Sequence, residues 1–141
     1  MASLALATAN RINVVYSIEQ HTLPAAAAIT AGAAVTIDSD GKFALADADG
    51  AGTLSIAYGI ATETVPAGMP VTAIRRGALS GWTLTGIAYW TNVLLADTAG
   101  EVTVTSSESN GGSADVVLGR IIPVWNNLVG GTPDKIVMLT L

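Results

Sequence analysis

The sequence predicts an all-β, mainly antiparallel domain with at most one or two short helices. Three observations predict it. Alternation with a period of two recurs between Gly, Asp, Asn and Pro punctuation along the chain. No segment holds an apolar stripe at helical spacing for more than one or two turns. A strand-rich motif also occurs twice, over about residues 29 to 80 and 84 to 141.

The first copy reads Ile29-Thr-Ala-Gly-Ala-Ala-Val35-Thr-Ile37, then Asp40-Gly41, Tyr58-Gly59-Ile60 and Val71-Thr-Ala-Ile74. The second answers with Leu84-Thr-Gly-Ile87, Leu95-Ala-Asp97-Thr-Ala-Gly100, Leu118-Gly119-Arg-Ile121 and Ile136-Val-Met-Leu139. Gly41 matches Gly100, and Gly59 matches Gly119. The offset between copies grows only where loops are expected, so two similar β units are predicted.

The elements follow in order. Residues 1 to 24 are expected to form an N-terminal arm. Ala7-Thr-Ala9 mimics a secretory cleavage box, but no positive n-region precedes it and the first cation, Arg11, follows the would-be cut, so the arm is expected to stay uncleaved. Within it, residues 11 to 18 alternate as a strand. Residues 19 to 28, with His21, Pro24 and four alanines, read as a loop or a helical turn. Hairpin turns are expected at Asp38-Ser-Asp40-Gly41 and Asp97-Thr-Ala-Gly100, where Asp supplies side-chain acceptors and Gly a positive φ. Pro66-Ala-Gly68-Met-Pro70 turns into a strand from Val71, and Gly130-Gly131-Thr-Pro133-Asp134 turns into the last strand. The Ser-, Asn- and Gly-rich run 106 to 113 reads as a mobile loop.

Composition narrows the function classes. The chain has 141 residues, half of them hydrophobic, enough to bury one core as a single domain. Its charged fraction is 12%, against about a quarter in ordinary domains. That leaves much neutral surface and points to a partner-covered or oligomeric state, with an Ala- and Gly-rich monomer as the alternative. A net charge of −5 argues against nucleic acid, whose phosphates are bound chiefly by Lys and Arg. With no cysteine, neither disulfides nor thiolate metal sites are expected. No apolar run approaches the roughly 20 residues of a membrane-spanning helix.

Catalytic chemistry finds little to work with. His21 is the single histidine, too few groups for a hydrolytic triad, and reads as a surface or interface polar residue. Gly77-Ala-Leu-Ser80-Gly81 has the wrong spacing for a nucleophile elbow. Asp38-Ser-Asp40-Gly41 and Asp47-Ala-Asp49-Gly50 begin like calcium loops but lack the later ligands, so both read as turns. No enzyme, cofactor or metal site is expected. Trp90 is placed in a strand after Tyr89, and Trp82 and Trp125 are candidate anchors, either in the core or at an interface.

The order of Val35…Ile37-Asp-Ser-Asp40-Gly41-Lys42, Tyr58-Gly59-Ile60-Ala61, Ala67-Gly68-Met-Pro-Val71, Leu95-Ala-Asp97-Thr-Ala-Gly100 and Leu118-Gly119-Arg120-Ile121 resembles that of tailed-phage capsid decoration, or cement, proteins. The resemblance covers about residues 25 to 141. It implies a compact β-tulip or barrel-like domain with an extended N-terminal arm. It further implies a homotrimer on the outer surface of the virion head, bound to the major capsid protein across subunit junctions. Arg11 with the alternating Ile12, Val14, Tyr16 and Ile18 would then add a strand to an exposed sheet edge of a neighbouring subunit. The alternative is another virion component, such as a tail, fibre or carbohydrate-binding surface module.

Overall fold

A computed structural model describes residues 4–50, 52–105, 116–124 and 134–141. The expected fold class is correct: the described residues form an all-β, antiparallel sheet curled into a half barrel. Among the described residues nine strands appear in chain order: β1 Asn13–Pro24, β2 Ala34–Ile37, β3 Phe43–Leu45, β4 Gly59–Ala61, β5 Pro70–Ser80, β6 Asn92–Leu95, β7 Val102–Thr103, β8 Val117–Val124 and β9 Asp134–Thr140. A short 3-10 turn spans Gly52–Ser55.

The strand order is β3-β2-β4-β5-β9-β8-β6-β7, with β1 on the other edge of β5. It is mirrored about the β5–β9 seam. On each side a hairpin is followed by a strand carrying a matched glycine and then by the seam strand. Gly59 on β4 and Gly119 on β8 occupy corresponding places. A side chain on either would strike a seam-strand carbonyl, that of Ile74 or of Met138. Their bare backbones let the strands approach.

The hairpin turns follow from their sequences. Asp38 Oδ1 accepts the amides of Asp40 and Lys42, both at 2.9 Å, and Gly41 takes φ 76°. Gly100 closes the β6–β7 turn at φ 78°. Gly68, at φ 85°, turns the chain into β5 and donates its amide to Ala25.

Two apolar clusters form the core, and across β2, β4 and β5 they lie on opposite faces of the sheet: Ala34, Ile60 and Ile74 belong to the larger, their chain neighbours Val35, Ala61 and Ala73 to the smaller. The larger unites Ile60, Ile74 and Leu79 from the first half with Leu95, Leu118 and Ile121 from the second. The smaller is built on Phe43, whose ring lies 5.3 Å from that of Tyr58, with Ile29, Val35 and Val71 around it. Burying each such side chain contributes about 1.5–3 kcal/mol.

Two local expectations change. Residues 19 to 24 continue the first strand, because their backbone pairs with β5 as far as Pro24 opposite Pro70. Trp90 is not in a strand: it sits in the turn before β6 at φ 74°. The expected turn at 130 to 134 and loop at 106 to 113 lie largely outside the described residues, as does Trp125.

Candidate functional site

The site begins with β1. Its ladder runs along one edge of β5, from Asn13 opposite Ser80 to Pro24 opposite Pro70, with register shifts after Val14, Ser17 and Glu19. Among the described residues the other edge of β1 has no ladder partner. An edge strand with unpaired amides and carbonyls is a template for another chain.

Both ends of β1 are tied down. On the N-terminal side, the Leu4 amide donates to Val102, the Ala7 amide to Gly81 and the Thr83 amide to Ala5. Leu4 and Leu6 pack against the larger core, and Ile12 is buried in it. On the C-terminal side, Ala25 is buried and donates to the Met69 carbonyl at 2.9 Å. Between these anchors β1 is a strap held mainly by its backbone.

Side chains fasten one stretch of it. His21 Nδ1 lies 3.0 Å from the Tyr58 hydroxyl, with the rings edge to face. The hydroxyls of Thr22 and Thr72 are 2.7 Å apart. Glu19 and Arg75 form a partly exposed ion pair at 3.8 Å, and the Arg75 guanidinium lies 5.9 Å from the Tyr58 ring centre. Burial raises the Tyr58 phenol above its ordinary pKa, and the charge of Glu19 adds to the effect while Arg75 opposes it. The phenol is therefore protonated at neutral pH.

The rest of the strap presents apolar surface. Val14, Val15 and Tyr16 are each over 40% exposed and Ile18 is 72% exposed. The register shift between Val14 and Tyr16 sets them opposite Leu79 and Ala78, consecutive residues of β5 that point to opposite faces, so the ribbon exposes apolar surface on both sides. Contiguous exposed apolar surface of this kind marks interaction sites.

The structure sorts the predicted contact residues. Val14, Tyr16 and Ile18 lie exposed on the edge strand, and Arg11 is exposed just before it. Ile12 is turned inward, at 9% exposure. Trp82 is buried at 7%, bridged to Leu6, and serves the chain's own core. Among the described residues the tryptophan that reaches solvent is Trp90, 61% exposed, in a turn and not in the strand expected from the sequence. Its signal is a Tyr-Trp pair close after Gly86, which itself has positive φ.

Among the described residues no three His, Cys, Asp or Glu side chains gather as a metal site. Asp47 and Asp49 form a turn, with the Asp49 amide donating to Asp47 Oδ1 at 3.3 Å. The Asp47 carboxyl is held above its ordinary pKa, first by burial and then by its hydrogen bond to the Asp49 side chain, and the charges of Asp49 and Asp97 add to this. No helix among the described residues is long and apolar enough to cross a membrane. Compared with family models, curated proteins and solved structures, the chain has no match in any of the three.

Proposed function

We propose that this chain is a capsid decoration protein. It binds the outer surface of an assembled phage head across junctions between major capsid subunits and stabilises the shell as a homotrimer. The observation that carries the reading is the anchored edge strand β1, which offers a backbone edge without a ladder partner among the described residues, and an exposed apolar ribbon, on a β scaffold. Fastening of this kind calls for complementary surface and no catalytic group. A charged fraction of 12% suits close packing against a protein lattice, and the net charge of −5 limits nonspecific association.

A binder that prefers the expanded lattice stabilises it by mass action. The test mixes the purified chain with expanded and unexpanded heads of the phage that encodes it, then sediments the particles. Recovery with expanded heads, together with a higher temperature of head rupture, is expected. Recovery with neither kind of head would overturn the reading.

A further inference from the structure

The convex face of the sheet carries a continuous row that the register defines. Tyr16 on β1 pairs with Ala78 on β5, Ala78 with Met138 on β9, Met138 with Arg120 on β8, and Arg120 with Asn92 on β6. Directly paired residues share a face. The row therefore crosses five strands, about 19 Å at the usual strand spacing. It contains no carboxylate. One strand pair along, Arg76 lies opposite Thr140 on the same face. Tyr16, Ile18, Arg76 and Met138 also line a single cavity of about 250 Å³, an independent sign that they face the same side.

Trp90 sits over the far end of this row, with the Arg120 guanidinium 5.4 Å from its ring centre. Its conformation is costly. A φ of 74° is an outlier for a bulky residue, and strain of this sort is characteristic of binding and catalytic sites. Burial does not offset it, because the side chain is 61% exposed. Instead the turn is clamped onto β8: the Trp90 amide donates to Ile121 at 2.6 Å, the Ile121 amide returns to Thr91 at 3.0 Å, and Arg120 Nη1 donates to the Trp90 carbonyl at 3.0 Å. A large aromatic is thus held in solvent in one orientation. Preorganised Trp and Arg side chains are the anchors that dominate protein interfaces.

We infer that this convex face, from Tyr16 and Ile18 to Arg120 and Trp90, is the docking surface, and that its partner is a capsid-subunit surface offering an apolar pocket rimmed by carboxylates. The inference rests on the decoration reading and gives it a face and a partner chemistry. Charge complementarity selects the partner. The chain is acidic overall, yet this face carries Arg120 and Arg76, whose Nε donates to the Leu141 carbonyl at 2.9 Å, while Glu19, opposite Arg76 in the register, forms its ion pair with Arg75. A convex face five strands wide fits a protein surface better than the cleft a sugar would occupy.

The test uses the full-length chain and expanded heads, comparing wild type with Trp90→Gly, Arg120→Glu and Lys42→Glu. Lys42→Glu makes the same charge change on the exposed β2–β3 turn. Trp90→Gly and Arg120→Glu are expected to weaken head binding about tenfold or more, with Lys42→Glu unchanged. Glycine also relieves the strain at position 90, so Trp90→Gly is expected to melt at or above the wild-type temperature while binding worse. A tryptophan that merely supported the fold would not separate the two readouts. Wild-type binding that all three variants share would overturn the docking face and leave the decoration reading standing. A wild-type chain that ignores heads but is retained on an acidic polysaccharide through Trp90 would overturn both.

Discussion

Gly77 and Tyr16 meet where β1 crosses β5: a side chain at Gly77 would collide with the Tyr16 carbonyl, and Gly77 itself has φ 149°. The strap lies on the sheet because this position is bare. Gly77→Ala is expected to cost about 1–3 kcal/mol, from the positive φ together with the clash. Amide exchange should localise the loss, with protection falling first between Val14 and Gln20 while β8 and β9 stay protected.

Ile12 and Ile18 stand six residues apart and separate folding from binding. Ile12→Asp places a carboxylate in the core and is expected to destabilise the chain by about 3 kcal/mol or more in urea unfolding. Ile18→Asp, on an exposed side chain, should shift stability by within about 0.5 kcal/mol and still abolish recovery with expanded heads. Equal head binding by wild type and Ile18→Asp would remove β1 from the contact.

The matched glycines of the two halves are expected to respond alike. Gly59→Ala would strike the Ile74 carbonyl and Gly119→Ala the Met138 carbonyl. Each should lower stability by about 3 kcal/mol, the upper end of overpacking, because backbone cannot swing aside as a side chain can. Gly41→Ala offers the contrast, since nothing lies near its added Cβ and the cost there is confined to its positive φ.

Asp47 predicts a pH dependence. Its folded pKa is raised above the ordinary 3.8, so the folded state holds the proton more tightly than the unfolded chain. Below 3.8 both states are protonated and the carboxyl has no effect on stability; as pH rises through the raised value, ionisation destabilises the fold, and the penalty is constant above it. Asp47→Asn keeps the acceptor for the Asp49 amide and removes the charge. It is expected to raise the melting temperature at pH 7, with the gain vanishing near pH 3.

The strands and turns legible in the sequence are those governed locally. Alternation around Val35, Val71 and Leu118 marks strands, although β2 and β5 prove buried on both faces, and Asp38 and Gly41 write their turn in their own hydrogen bond and φ. What stayed hidden depends on partners distant in sequence. Residues 19 to 28 read as a loop or a helical turn because His21, Pro24 and the alanines carry no alternation, yet β5 supplies a ladder for them as far as Pro24. The alternation of Ile12, Val14, Tyr16 and Ile18 reads as one set of side chains, but the register shift between Val14 and Tyr16 sets Val14 opposite Leu79 and Tyr16 opposite Ala78, on different faces. Ile12 is drawn inward by Leu6 and Gly32, which pack near it. The φ of Trp90 is set by its clamp on Ile121 and Arg120, and no local propensity announces it.

A cryo-EM reconstruction of the mature head of the phage that encodes this chain tests the central claim most directly. The account predicts three-fold clusters of the β domain outside the shell, seated across junctions between capsid subunits, with Tyr16, Ile18 and Trp90 facing the shell. A bare outer surface, or the domain located in the tail or its fibres, would contradict it.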